Sequence, residues 1–195
     1  MTVFRPIINN LITQGYGIEN TKPDALHFYK ELNMLGHNGV DYFCPIGTPI
    51  YWPGSGRGTV YAIIDDITFG KYIEVISEDN EGYKKHIFAH LSSFDCKPGD
   101  ILETGQLFCH SGNSGKYTTG PHLHYGLKEC IKNLLGNFVS LNMDNGYNGA
   151  IDPKPYFINV WVVDEIENLK KTLDNLKQQI SIWRQIINLI RWFRG

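Results

Sequence analysis

The chain reads as a mostly β protein, an antiparallel β-sheet domain followed by a C-terminal α-helix. Three observations predict this. Glycine is frequent, at 20 of 195 residues, which implies many tight turns. Up to about Phe157 the apolar runs are short and rich in β-branched and aromatic residues. Beyond Phe157 the apolar period changes from that of strands to that of a helix.

Taken in order, strands are expected at Thr59–Ile64, Tyr72–Ile76 and His86–His90. Turn signals separate the runs: Pro53-Gly54, Asp79-Asn80, Pro98-Gly99 and Asn113-Ser114-Gly115. Gly99-Asp100 and Gly105-Gln106 mark the corners of a hairpin. A helical segment is expected between Lys22 and Leu35. Asn and Gly dominate Ile131–Gly149, which reads as a long loop or an insertion. After Phe157, Val162, Ile166, Leu169, Leu173, Leu176, Ile180, Trp183, Ile187 and Ile190 alternate in steps of four and three. No Pro or Gly interrupts them until the last residue. That is a heptad seam on a helix. The expected division is a domain over 1–157 and a helix over 158–195. A single amphipathic helix packed on its own domain is the plainer alternative.

Composition narrows the function. The net charge of −2 gives no strong pull toward nucleic acid. There is no run of 18 apolar residues, so no spanning helix is expected. The N-terminal MTVFRPIINNLITQGYG has neither an apolar core nor a small-residue cleavage site, and so does not read as a signal peptide. Synthesis in a cytoplasm follows as an expectation; work outside it then needs lysis, a particle or an unusual export route. Of the four cysteines, Cys44, Cys96, Cys109 and Cys130, none forms a CxxC pair, which argues against a cysteine zinc site. Buried free thiols are the favoured reading, and three disulfide pairings stay open.

The chemistry concentrates in Gly36-His37-Asn38-Gly39-Val40-Asp41, Ala89-His90-Leu91 and Gly120-Pro121-His122-Leu123-His124-Tyr125. His122 and His124 stand two apart in a strand-like segment and share a face. Both can bind a metal, or one can bind while the other acts as base. His37 and Asp41 offer a nitrogen and an oxygen ligand, and Gly39 between them permits the bend that would bring them together. The two clusters supply three ligands of the His/His/Asp type with a fourth position open, the pattern of catalytic zinc. A remaining histidine can carry the proton that hydrolysis requires. Tyr29 is one of several nearby tyrosines that could assist an oxyanion. His27 and His86 read as surface or satisfied core residues, and His110 as a candidate groove residue.

These motifs together resemble the lysostaphin/LytM family of cell-wall metallopeptidases. The framework segments Gln14-Gly15-Tyr16-Gly17, Gly47-Thr48-Pro49-Ile50, Lys97-Pro98-Gly99-Asp100, Gly105-Gln106 and Ser111-Gly112-Asn113-Ser114-Gly115 resemble it too. Asp152-Pro153 with Tyr156 is similar to the usual end of that domain, so the likeness runs from about Ile12 to Phe157. The resemblance implies a β-hairpin core, a groove with one zinc ion per chain at its floor held by His37, Asp41 and His124, and catalytic histidines at His90 and His122. It also implies a peptidoglycan peptide as substrate, cut in its stems or cross-bridges, and action at a bacterial wall; the missing signal peptide, small size and lone catalytic domain suggest that this follows phage release or takes place on a virion. Cys109-His110 and the length of Ile131–Gly149 depart from the pattern, so the choice of bond does not carry over. One rival is a catalytically silent regulatory module of the same family; another is a lipoyl-like carrier domain. The histidine set argues against both.

The helix carries its own expectation. Its seam needs a cover, from another copy or another protein over 162–194. Residues 182–194, with Trp183, Ile186, Ile187, Leu189, Ile190, Trp192, Phe193 and only arginine charges, also suit contact with a membrane surface. The unbroken heptad favours protein assembly.

Overall fold

The computed structural model describes residues 4–7, 11–157, 172–173 and 175–181. The chain forms two compact units, Met1–Phe157 and Ile158–Gly195.

The first unit is built of short antiparallel strands. In chain order these are β1 (Ile12–Gln14), β2 (Val40–Phe43), β3 (Pro49–Tyr51), β4 (Gly58–Asp66), β5 (Gly70–Asp79) and β6 (Gly82–Ala89). There follow β7 (Leu91–Phe94), β8 (Ile101–Leu102), β9 (Leu107–Ser111), β10 (His122–Lys132), β11 (Phe138–Ser140) and β12 (Ala150–Ile151). Among the described residues, one sheet runs β1-β2-β10-β6-β5-β4-β8, with β11 and β12 paired onto β10; a smaller sheet runs β3-β9-β7.

The β4–β5–β6 meander follows from its turn chemistry. Asp66 Oδ1 accepts the backbone N–H groups of Thr68 and Phe69, each at 2.8 Å, and Gly70 takes the positive φ of 63° that the turn needs. At the next turn Asp79 Oδ1 accepts the N–H of Glu81 and Gly82 has φ 119°.

Strand alternation separates core from site. On β10, Leu123, Tyr125 and Leu127 are fully buried in the core, while His122, His124, Gly126 and Lys128 occupy the opposite face. Val40, Tyr42, Ile73, Val75 and Phe88 join the core from the large sheet, and Ile50, Leu91 and Phe108 from the small one. Each such side chain contributes roughly 1.5–3 kcal/mol, so the core holds β10 and β2 rigidly beneath the site.

Two expectations need correction in detail. Ile131–Gly149 is not one loop. β10 extends to Lys132, and β11 pairs with it in the register Cys130↔Ser140, Ile131↔Val139, Lys132↔Phe138. The Asn-rich text between them makes a hairpin, because Asn133 Oδ1 accepts the N–H groups of Leu135 and Asn137 at 3.0 and 2.9 Å. The helical segment is also shorter than Lys22–Leu35. A 3₁₀ turn at Pro23–Ala25 leads into α1 (Leu26–Glu31), and Asn33 ends it with φ 55°.

Cys44, Cys109 and Cys130 are buried thiols and Cys96 is partly buried. In the second unit, residues 172–173 and 175–181 are helical, and Leu173, Leu176 and Ile180 are each about half exposed. The remaining seam positions, Val162, Ile166, Leu169, Trp183, Ile187 and Ile190, and the 182–194 stretch lie outside the described residues. Among the described residues, no helix is long and apolar enough to cross a membrane.

Candidate metal centre and active site

Four segments meet at one end of the large sheet. β2 and β10 pair so that His124 lies opposite Asp41; β10 and β6 pair so that His124 also lies opposite Ala89. The chain then places His90 immediately after β6, in a left-handed conformation with φ 60°. His37 enters ahead of β2, tied by a bridge to Gly17. The five sequence-expected residues, His37, Asp41, His90, His122 and His124, are therefore brought together, and all line one cavity.

Three of them converge most tightly. Asp41 Oδ1 stands 3.1 Å from His37 Nε2 and 3.0 Å from His124 Nδ1, and those two nitrogens are 3.1 Å apart. Ligands of tetrahedral zinc at 2.0–2.1 Å would be about 3.3 Å from one another. The nitrogen–nitrogen–oxygen set thus fits such an ion, with both imidazoles nearly buried, at 2% and 4% exposure. His37 Nδ1 donates to the Gly15 carbonyl at 2.8 Å, which fixes its tautomer and aims the Nε2 lone pair at the shared point.

His90 and His122 are held differently. His90 Nδ1 donates to the Ser114 carbonyl at 2.8 Å, and His122 Nδ1 to the Gly120 carbonyl at 2.7 Å. Each therefore has Nε2 as its free basic nitrogen. Their rings are 4.7 Å apart, and His122 Nε2 is 3.7 Å from Asp41 Oδ1. The pair can take a proton at one nitrogen and return it from the other.

The electrostatics suit this division. Burial works to raise the Asp41 carboxyl, but His37 and hydrogen bonds from His124 and His37 hold it well below the usual carboxylate range. Burial lowers His124 against the opposing pull of Asp41. Burial, with His122 and His124 nearby, pushes His90 down to about 3, so it is neutral at working pH. Burial, and then the Asp41 charge, raises Tyr29. That phenol keeps its proton at working pH; its oxygen accepts from Gln14 Nε2 at 2.9 Å, leaving its O–H to donate into the cavity.

Gly39 has a different role from the one expected. It is not among the residues with positive φ. A Cβ there would meet His124 Cε1 and the Tyr125 carbonyl, both at 2.6 Å, so the glycine permits close approach of β2 to the His124 ring. Phe69 was not foreseen. It stacks on His124 at 5.4 Å and 30°, and its carbonyl accepts the His90 N–H at 3.1 Å. Nothing in the sequence marks it, since it sits in the turn between β4 and β5. His110 does not reach the cavity. It pairs with Asp95 at 3.0 Å on the small sheet. His86 is a satisfied core residue, bonded to Ser77 and Tyr125.

The comparisons with known proteins agree with this geometry. Residues 35–135 match Peptidase family M23. The glycyl-glycine endopeptidase ALE-1 of Staphylococcus capitis is 32% identical over 127 residues, 64% of this chain and 30% of that protein. The peptidoglycan DD-endopeptidase ShyA of Vibrio cholerae is 42% identical over 108 residues, 55% of this chain and 24% of that protein. The match thus spans less than a third of these relatives. Among solved structures, the catalytic domain of lysostaphin from Staphylococcus simulans superposes with a TM-score of 0.55 at 28% identity, covering 76% of this chain and 92% of that one. A variant catalytic domain of the prophage-encoded M23 protein EnpA from Enterococcus faecalis gives 0.53 at 26%, covering 78% and 95%.

Proposed function

The chain belongs to peptidase family M23, and from that premise we propose that it is a zinc-dependent endopeptidase cutting peptide bonds in the stems or cross-bridges of bacterial peptidoglycan. The observation that carries this reading is the joint presence of the tight His37, Asp41 and His124 cluster and two further histidines with their Nε2 atoms free.

In this reading His37, Asp41 and His124 hold the zinc, one ion per chain. Bound there, zinc would supply Lewis acidity, enough to lower the pKa of a water to about 7 and polarise the scissile carbonyl. The protein's own groups do the rest. His90 and His122 accept the proton of the attacking water at Nε2 and deliver a proton to the leaving amine. Tyr29, kept protonated, donates to the oxygen that gains charge. Gln14 orients the Tyr29 hydroxyl, Phe69 fixes the plane of the His124 ring, and the apolar walls from Phe28, Leu32 and Met34 limit water. The second reading, a silent module that only activates other hydrolases, is disfavoured because no member of the five-residue set is missing. Release by lysis or carriage on a virion would bring the enzyme to a wall, and the likeness to a prophage-encoded protein supports that route. We further propose that the helix beyond Phe157 mediates self-association or docking.

The test joins metal content to activity. Protein purified without added metal should contain one zinc per chain and should digest purified walls, releasing fragments whose masses identify the bond cut. His37→Ala should lose the metal and the activity together. A metal-free protein that gains nothing from added zinc would overturn the reading.

A further inference from the structure

The face of the large sheet that carries the histidines has a second feature at its far end. Alternation along β10 puts Lys132 on the same face as His122 and His124. Lys132 lies opposite Phe138 of β11, and Cys130 opposite Tyr83 of β6. The rings of Tyr61 and Tyr83 both pack edge-on against Phe138, with centroids 5.4 and 5.0 Å away. Together they line a hollow of about 530 Å³, within the ordinary range for small-molecule sites and too large for a single side chain. The rim is polar and carries both signs of charge, with Arg57, Glu78 and Lys132 around it. Every lining residue belongs to the first unit.

We propose that this hollow is a carbohydrate subsite that holds the glycan strand while its attached peptide occupies the histidine site. The inference rests on the peptidoglycan reading above. Its chemistry is specific. A pyranose has one face of C–H groups, which suits the electron-rich faces of aromatic rings, and a perimeter of hydroxyl and acetamide groups, which suits a rim of mixed donors and acceptors. Arg57, held by Glu103 at 2.7 Å, and Lys132, whose ammonium stands 5.6 Å from the Phe138 ring centre, are fixed at that rim by partners of their own. The spacing also fits. The step from His124 to Cys130 along β10 is roughly 20 Å at about 3.3 Å per residue, and an extended peptide of about six residues spans that distance. Phe138 lies just beyond the residues that match the family model, which end at 135.

The test uses the full chain and two substrates, whole purified walls and a soluble cross-bridge peptide without sugar. A binding arm uses chitotetraose, a soluble oligomer of N-acetylglucosamine, followed by NMR. The double variant Tyr61→Ala/Phe138→Ala should cut walls about tenfold more slowly and cut the free peptide at the wild-type rate, which also shows that it folds. Chitotetraose should perturb wild-type resonances at the hollow and leave the variant unchanged. Phe138→Trp should keep wall cleavage. Equal wall rates for wild type and double variant, or chitotetraose shifts that survive in the variant, would overturn the subsite. A wild type that cuts neither substrate would instead overturn the peptidase reading, and the chitotetraose arm would still decide the subsite.

Discussion

A methyl group at position 39 would stand 2.6 Å from both an atom of the His124 ring and the Tyr125 carbonyl, so the distance between β2 and β10 at the site is set by one hydrogen atom. The Gly-His-Asn-Gly-Val-Asp and Gly-Pro-His-Leu-His texts were legible as a site because period-2 alternation puts both histidines of the second on one face. The pairing of His124 with Asp41 was not legible, because register depends on the whole sheet. Nor was Phe69, whose ring reaches His124 from a turn far away in sequence. Within the HxH pair, His124 Nδ1 is 3.0 Å and His122 Nε2 3.7 Å from Asp41 Oδ1. We therefore expect His90→Ala and His122→Ala to lower hydrolysis by about 10²–10⁴-fold while each retains its zinc. Paired measurements of turnover and elemental content check this. If His122→Ala emptied the site and His124→Ala did not, the roles within the pair would be exchanged.

At the level of elements, β5, β6 and β10 are joined by more than their ladders. His86 on β6 is fully buried, with Nε2 2.9 Å from Ser77 Oγ on β5 and Nδ1 2.8 Å from the Tyr125 hydroxyl on β10; the Trp52 ring stands edge-on at 4.8 Å. Burial, with a smaller push from Lys84 and an opposing one from Asp79, lowers its pKa from 6.5 to about 3. The folded protein therefore binds the proton less readily than the unfolded chain does. Its stabilising effect is complete above pH 6.5 and is lost as pH falls toward 3. Near pH 5 this loss should be about 2 kcal/mol, at roughly 1.4 kcal/mol per pH unit. Urea unfolding of the wild type and His86→Gln at pH 7.5 and pH 5 measures it: the gap between them should shrink by about 2 kcal/mol on acidification, and an unchanged gap would show that His86 does not titrate on unfolding. The sequence placed the meander strands well, because β-branched runs and Asp/Gly turns agree there. It hid β11, three residues inside an Asn- and Gly-rich stretch, because so short a strand is stabilised by its partner rather than by its own composition.

For the molecule as a whole, the first unit has a complete core of its own. Its buried cluster runs from Ile7 to Tyr125, with Tyr156 and Phe157 packed against it, and among the described residues every member lies within the first unit. A chain ending at Phe157 therefore keeps every group of the site, together with the apolar contacts that hold β2, β6 and β10 in register. In the second unit, Leu173, Leu176 and Ile180 are 50–53% exposed at spacings that place them on one side of a helix. Covering such a stripe gains roughly 25 cal/mol per Å², and a heptad seam is the pattern that a second identical helix covers best. The truncated chain should cleave a soluble peptide at the full-length rate and run as a monomer in light scattering, whereas the full-length chain should run as a dimer or trimer. Full-length and truncated chains of identical monomeric mass would refute self-association. Flotation of the full-length protein with anionic liposomes, and not of the truncated one, would then assign the stripe to a membrane surface.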